Sequence, residues 1–111
     1  MSAPLASIKD RLAEIDSMIS RAENLEVNAV TLRLRLQKVV NVVVENEGKI
    51  WLRTKVGQPM VKMLQDSVDK ALEVLKEQTP SPDRFDDALT EVERQTAKID
   101  EESRRRSMVV T

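Results

Sequence analysis

Val30-Thr31-Leu32-Arg33-Leu34-Arg35-Leu36-Gln37-Lys38-Val39-Val40-Asn41-Val42-Val43-Val44 is the stretch on which the fold turns, because it is too apolar to bury one side only and two periodicities fit it. Read with the helical period, it carries two seams. Leu32, Leu36, Val39, Val43, Asn46 and Ile50 form one; Val30, Leu34, Gln37, Asn41, Val44, Gly48 and Trp51 form the other, offset around the cylinder. Read with the strand period, Val30, Leu32, Leu34 and Leu36 alternate with Thr31, Arg33, Arg35 and Gln37. Asn46-Glu47-Gly48 then turns the chain into Lys49 to Val56 as a β-hairpin. The helix is the preferred reading. The stretch fills a heptad template at nearly every core position, its neighbours are strongly helical, and a lone two-stranded hairpin is seldom stable in water. The alternative fold is α+β with a hairpin at about 30–56.

Working outward, Leu5, Ile8, Leu12, Ile15, Ile19 and Ala22 recur at 3,4 spacing, a one-sided stripe with Lys9, Asp10, Arg11, Glu14 and Asp16 on the other faces. Small polar residues with Pro4 suit the start of this helix, and Ser7 with Asp10 reads as a weak capping box. The step Ile19 to Ala22 to Leu25 is three plus three, which either overwinds a continuous helix or breaks it near Asn24 to Asn28. Lys55-Val56-Gly57-Gln58-Pro59 marks the next boundary, with Gly57 as a left-handed helix end and Pro59 in the following first turn. Val61, Leu64, Val68, Ala71 and Leu75, widened by Met60, Leu72 and Val74, predict a third helix. Thr79-Pro80-Ser81-Pro82-Asp83 predicts its end and a new start, with Ser81 as N-cap and Pro82 in the first helical position. A last stripe of Phe85, Leu89, Val92, Thr96 and Ile99 fades at Ser103, so the far end of that helix is predicted to project into solvent.

The expected architecture is therefore all-α. Three or four long helices, at approximately 5–24, 28–56, 59–78 and 82–106 with a tail at 107–111, form one antiparallel bundle of coiled-coil character. A chain of 111 residues and 12.6 kDa fits a single domain. Charged residues make up 33% and apolar residues 41%, the balance of amphipathic helices rather than of a disordered chain. Two glycines leave too little turn chemistry for a sandwich or barrel.

Several kinds of chemistry are disfavoured. The chain has no His and no Cys, which removes the commonest general base, thiolate nucleophiles and thiolate metal sites. Asp86 with Asp87, and Asp100-Glu101-Glu102, are the densest acids; without a Glu-x-x-His pattern they read as solvated helix faces. No catalytic residue, cofactor or metal is expected, and the chain is not expected to be an enzyme. Arg104-Arg105-Arg106 resembles a basic patch, but Asp100, Glu101 and Glu102 each lie four residues earlier in the favourable acid-first order, so self-pairing is the preferred reading. A net charge of −1 gives no global field toward nucleic acid or anionic lipid. The N-terminal stretch has no apolar h-region and no uncharged run is long enough to span a bilayer, so an intracellular, cytoplasmic protein with no membrane partner is expected.

What remains is association. Leu32, Leu36, Val39 and Val43 are expected to build the intrachain core, while Val30, Leu34, Gln37, Asn41, Val44 and Trp51 face a partner, with Trp51 as the hot spot by residue type. The competing reading is a monomeric bundle in which neighbours cover both seams. The function expected is that of a non-enzymatic scaffold or complex subunit acting through helical oligomerisation with itself or another helical protein. The alternative is a nucleic-acid-associated structural protein using Arg33, Arg35, Arg53 and Lys55, with no aromatics interleaved to stack on bases. Ser81, in Ser81-Pro82-Asp83-Arg84, and Ser107, after three arginines, are candidates for phosphorylation. An amide in a buried layer penalises unmatched registers. Asn41→Leu is accordingly expected to raise stability and broaden the oligomer distribution in sedimentation; an unchanged monomer counts against the interface.

Overall fold

The computed structural model describes residues 5–109, with residues 23, 24, 27, 108 and 109 described by backbone alone. Among the described residues there are four α-helices and no strand: α1 (Ala6–Arg21), α2 (Ala29–Asn46), α3 (Gly57–Leu75) and α4 (Pro82–Val109). The hairpin at 30–56 is thereby overturned. Its alternating pattern over four residue pairs is outweighed by the 3,4 stripe of Leu32, Leu36, Val39, Val43 and Asn46, all of which are buried.

Ion pairs give the direction of each helix. Lys9 reaches Glu47 and Asp16 reaches Arg33, so α1 and α2 run antiparallel. Arg11 meets Asp69 near the middles of α1 and α3, and Met18 and Leu75 line one cleft, which makes that pair parallel. Arg35 with Asp86 and Glu93, and Asn46 with Asp100, show α2 parallel to α4. Glu77 pairs with Arg84 at 2.5 Å across the α3–α4 turn, the mark of an antiparallel hairpin. Two helical hairpins thus lie side by side, α1/α2 and α3/α4, with α2 and α3 on a diagonal. The whole measures 50 × 24 × 19 Å. At about 1.5 Å per residue, α4 alone spans about 42 Å of that length.

Leu5, just before α1, and Ile8, Leu12, Ile15 and Ile19 from α1 meet Leu64, Val68, Ala71 and Leu75 from α3 and Phe85, Leu89, Val92 and Ile99 from α4 in one continuous core. The first break falls at Ala22, whose extended backbone (ψ 108°) leads into a 3₁₀ segment over Glu23–Asn28, so the three-plus-three step resolves as a break and gives four helices. Ser81 Oγ accepts a hydrogen bond from the Arg84 amide at 3.3 Å, with Pro82 as first residue of α4, as the sequence predicts.

Several local expectations are corrected. Leu5 is the residue before α1 and is fully buried, so the helix begins at Ala6; Ser7 lies inside it and makes no capping bond. The expected helix at 28–56 stops at Asn46. Glu47 leaves the helix with an extended backbone (ψ 129°), and Gly48, at φ 87°, takes the left-handed position of the turn closed by the Lys49 N–H to the Asn46 carbonyl. A 3₁₀ turn over Ile50–Arg53 follows. Loss of the α-helical phase turns Ile50 outward, 82% exposed, and brings Trp51 and Leu52 into the core in its place. Gly57 is the first residue of α3 rather than a left-handed terminator. The third helix ends at Leu75, and α4 runs through Val109, so residues 107–109 are helical where a tail was expected. Residues 110–111, the rest of that tail, and residues 1–4, including Pro4, lie outside the described residues. Ser103 does not end the buried stripe of α4; it continues it.

Gly57 is required by contact rather than by conformation. A β-carbon there would lie 2.5 Å from Leu52 Cα and closer still to the Trp51 carbonyl oxygen. Backbone atoms cannot yield as a side-chain tip can, so Gly57→Ala is expected to lower the unfolding free energy by about 1–3 kcal/mol or more. Chemical denaturation followed by the fluorescence of Trp51 measures it, and a change within about 0.5 kcal/mol, the range of a neutral surface substitution, would contradict the contact.

Candidate functional site

The outward side of α2 is built by the same periodicity that fills the core. With Leu32, Leu36, Val39 and Val43 turned inward, the helix places Val30, Leu34, Gln37, Asn41 and Val44 on the opposite side. Val30 is 74% exposed, Leu34 61% and Val44 49%. These are large values for branched apolar side chains within a helix. Between them Gln37 Nε2 donates to Asn41 Oδ1 at 2.9 Å, a pair spaced by one helical turn and open to solvent. The surface is an apolar strip with a two-amide centre.

Its flanks are charged and internally paired. On the α1 side, Arg33 donates from Nε and Nη2 to the two carboxylate oxygens of Asp16 at 3.0 and 3.3 Å, which raises its pKa. On the α4 side, Arg35 donates from Nε and Nη2 to Glu93 at 3.2 and 2.6 Å, from Nη2 to Thr90 Oγ1 at 3.1 Å and from Nη1 to Asp86. The bonds to Glu93 hold the Arg35 proton more tightly, and partial burial opposes them without winning. An arginine is protonated at any ordinary pH, so the effect is geometric: a forked cation fixes α2 against α4.

Trp51 departs from its expected role. It is 8% exposed and belongs to the chain's own core, so its large side chain is not available to a partner. Its indole Nε1 donates to Ser103 Oγ at 2.8 Å, and the Arg106 guanidinium lies 5.0 Å from the ring centroid. Ser103 in turn donates to Asn46 Oδ1, while Asn46 Nδ2 donates to Val42 O at 2.9 Å and to Asp100 Oδ1 at 3.4 Å. This node satisfies an amide, a hydroxyl and an indole where α2, the 3₁₀ turn and α4 meet. The position of Ser103 four residues after Ile99 on the α4 stripe was the available signal. Its polarity masked it.

The remaining candidates are placed as follows. Arg104, Arg105 and Arg106 each meet the acid four residues earlier, at 2.8, 3.2 and 3.0 Å, and Arg105 also meets Glu102 at 2.7 Å. The basic run is therefore paired within α4. Of the four cations that a nucleic-acid surface would use, Arg33 and Arg35 are taken by carboxylates, while Arg53 and Lys55 lie exposed on the connection between α2 and α3. Ser81 is half-buried and caps α4; Ser107 is exposed beside an open groove lined by Glu45, Lys49, Asp100 and Arg104. No helix among the described residues is long and apolar enough to cross a membrane. Compared with family models, with curated proteins and with solved structures, the chain finds no match.

Ser103→Ala would strand the Trp51 N–H and remove a partner of Asn46 without altering volume much. The expected cost is about 1–3 kcal/mol, the penalty for leaving buried polar groups unpaired. It should be accompanied by a red-shifted Trp51 emission as water enters. Unchanged emission and stability would show that the node contributes nothing.

Proposed function

We propose that this chain works by association rather than catalysis, as a non-enzymatic helical scaffold or subunit whose contact surface is the outer side of α2. One observation carries the reading: Val30, Leu34 and Val44 stand well exposed on a helix whose other side is fully used in the core. Apolar side chains aligned along one helix face, rimmed by ion pairs, have the composition of an interface that is completed on binding. The charged groups support the same reading from the other direction. Arg35 is committed to Glu93 and Asp86, and Arg104 to Arg106 are committed to their own acids, which leaves them structural work rather than substrate chemistry. A partner is a protein that offers an apolar helix face of similar length, in a contact of coiled-coil type.

Leu34→Glu combined with Val44→Glu changes this surface without entering the core. The isolated double variant is expected to keep its helical circular dichroism and its melting temperature. In extracts of the cells that make the protein, the particle containing the natural chain should be larger than 12.6 kDa by gel filtration, and the double variant should shift toward that mass. A natural chain that elutes at its own mass, or a larger particle indifferent to both substitutions, would remove the proposal.

A further inference from the structure

We infer that the occupant of the α2 surface is a second copy of this chain, lying antiparallel with a two-fold axis at the level of Val39; this rests on the reading of that surface as an interface. The first argument is the amide pair. Gln37 Nε2 already donates to Asn41 Oδ1. Gln37 Oε1 is left as an acceptor and Asn41 Nδ2 as a donor, and among the described residues neither has a partner. A two-fold copy supplies what each lacks, since Asn41 of one chain then stands opposite Gln37 of the other. Four amides close into a ring, each donating once and accepting once. Such a ring satisfies the polar groups that burial would otherwise leave unpaired.

The same axis matches the middle of the strip, since Leu34 stands opposite Val44 of the other copy. Apolar meets apolar and amide meets amide. Charge then chooses between the two directions of pairing. In a parallel pair, Arg33 of each copy would face Lys38 of the other, two like-charge contacts per dimer. In the antiparallel pair, Arg33 faces Glu47 of the other copy on both sides, and the one like-charge approach is Lys38 to Lys38 near the axis. Flanking charges of this kind set helix orientation. Arg33 and Glu47 keep their intrachain partners Asp16 and Lys9, so each contact joins one neutral pair to another. A seam the length of α2 runs about 27 Å.

The absence of native cysteine makes the test direct. Leu34→Cys and Val44→Cys chains are purified separately, shown to keep their helical spectrum, and oxidised gently alone and mixed. Across the proposed axis residues 34 and 44 meet, whereas two copies of residue 34 stand about 15 Å apart along the helix, beyond disulfide reach. The mixture is expected to give the crossed 34–44 disulfide in several-fold greater yield than either chain gives alone. Sedimentation of the natural chain should move from 12.6 kDa toward twice that mass with concentration. Leu34→Cys alone cross-linking as well as the mixture would mean parallel pairing and overturn the inference, as would equal yields in all three samples. A natural chain at 12.6 kDa throughout, with no cross-link, would also overturn it. The cell-extract particle then decides separately whether α2 binds a different protein.

Discussion

Register in this bundle depends on one buried polar contact, the meeting of Asn46, Ser103 and Trp51. Aliphatic side chains such as Leu36, Val39 and Leu89 attract one another without direction, and helices packed only by them can slide or rotate at small cost. Hydrogen bonds do not slide. An amide at the last residue of α2 that must find a hydroxyl on α4 fixes the axial position of one helix against the other. Arg35, held by Glu93 and Asp86 about three turns away, fixes it a second time. Two directional ties on one pair of parallel helices leave rotation and translation both determined, and the apolar core fills the space that they define.

The passage from α2 to α3 follows from the same tie. Trp51 must reach Ser103, so the chain cannot continue α2 in phase; Gly48 releases it through a left-handed backbone and the 3₁₀ turn carries the indole inward. The turn then lies against the first residue of α3, where Gly57 allows backbone to approach backbone. Thr54 closes the arrangement: its hydroxyl donates to the Trp51 carbonyl at 2.6 Å and accepts from the Gly57 amide at 3.3 Å. The diagonal step between the two hairpins is thus built from one left-handed backbone, at Gly48, and one close approach of backbone to backbone, at Gly57.

Most of the architecture was legible because it is periodic. The stripes of α1 and α3, the inner seam of α2 from Leu32 to Asn46, the cap at Ser81 and the acid-first ladder at the end of α4 all follow from 3.6-residue repeats or from local capping rules, which a sequence displays directly. The errors share a cause of another kind. Gly57 was assigned a left-handed backbone that belongs to Gly48, because a glycine shows equally well a need for positive φ and a need for close approach, and only the third dimension separates them. Trp51 was placed outside by extending α2 past a turn where its phase is lost. Ser103 was read as the end of a buried stripe since a hydroxyl gives no hydrophobic signal, although its partners Asn46 and Trp51 are both in the sequence. Of the outer strip, the exposure of Val30, Leu34 and Val44 follows from the inner seam by geometry alone.

The pairing of cations inside the chain reaches beyond stability. With Arg33, Arg35 and Arg104 to Arg106 each beside a carboxylate, and a net charge of −1, these groups contribute little electric field past a Debye length, about 8 Å at physiological ionic strength. A partner that docks on α2, as proposed, would be neither drawn in nor oriented from a distance. Its encounter would proceed by unassisted diffusion, on the order of 10⁵–10⁶ M⁻¹s⁻¹, and salt would alter the arrival rate little. The lifetime of such a contact, set by how well an apolar strip and its amides fit, would be left to decide how much complex exists.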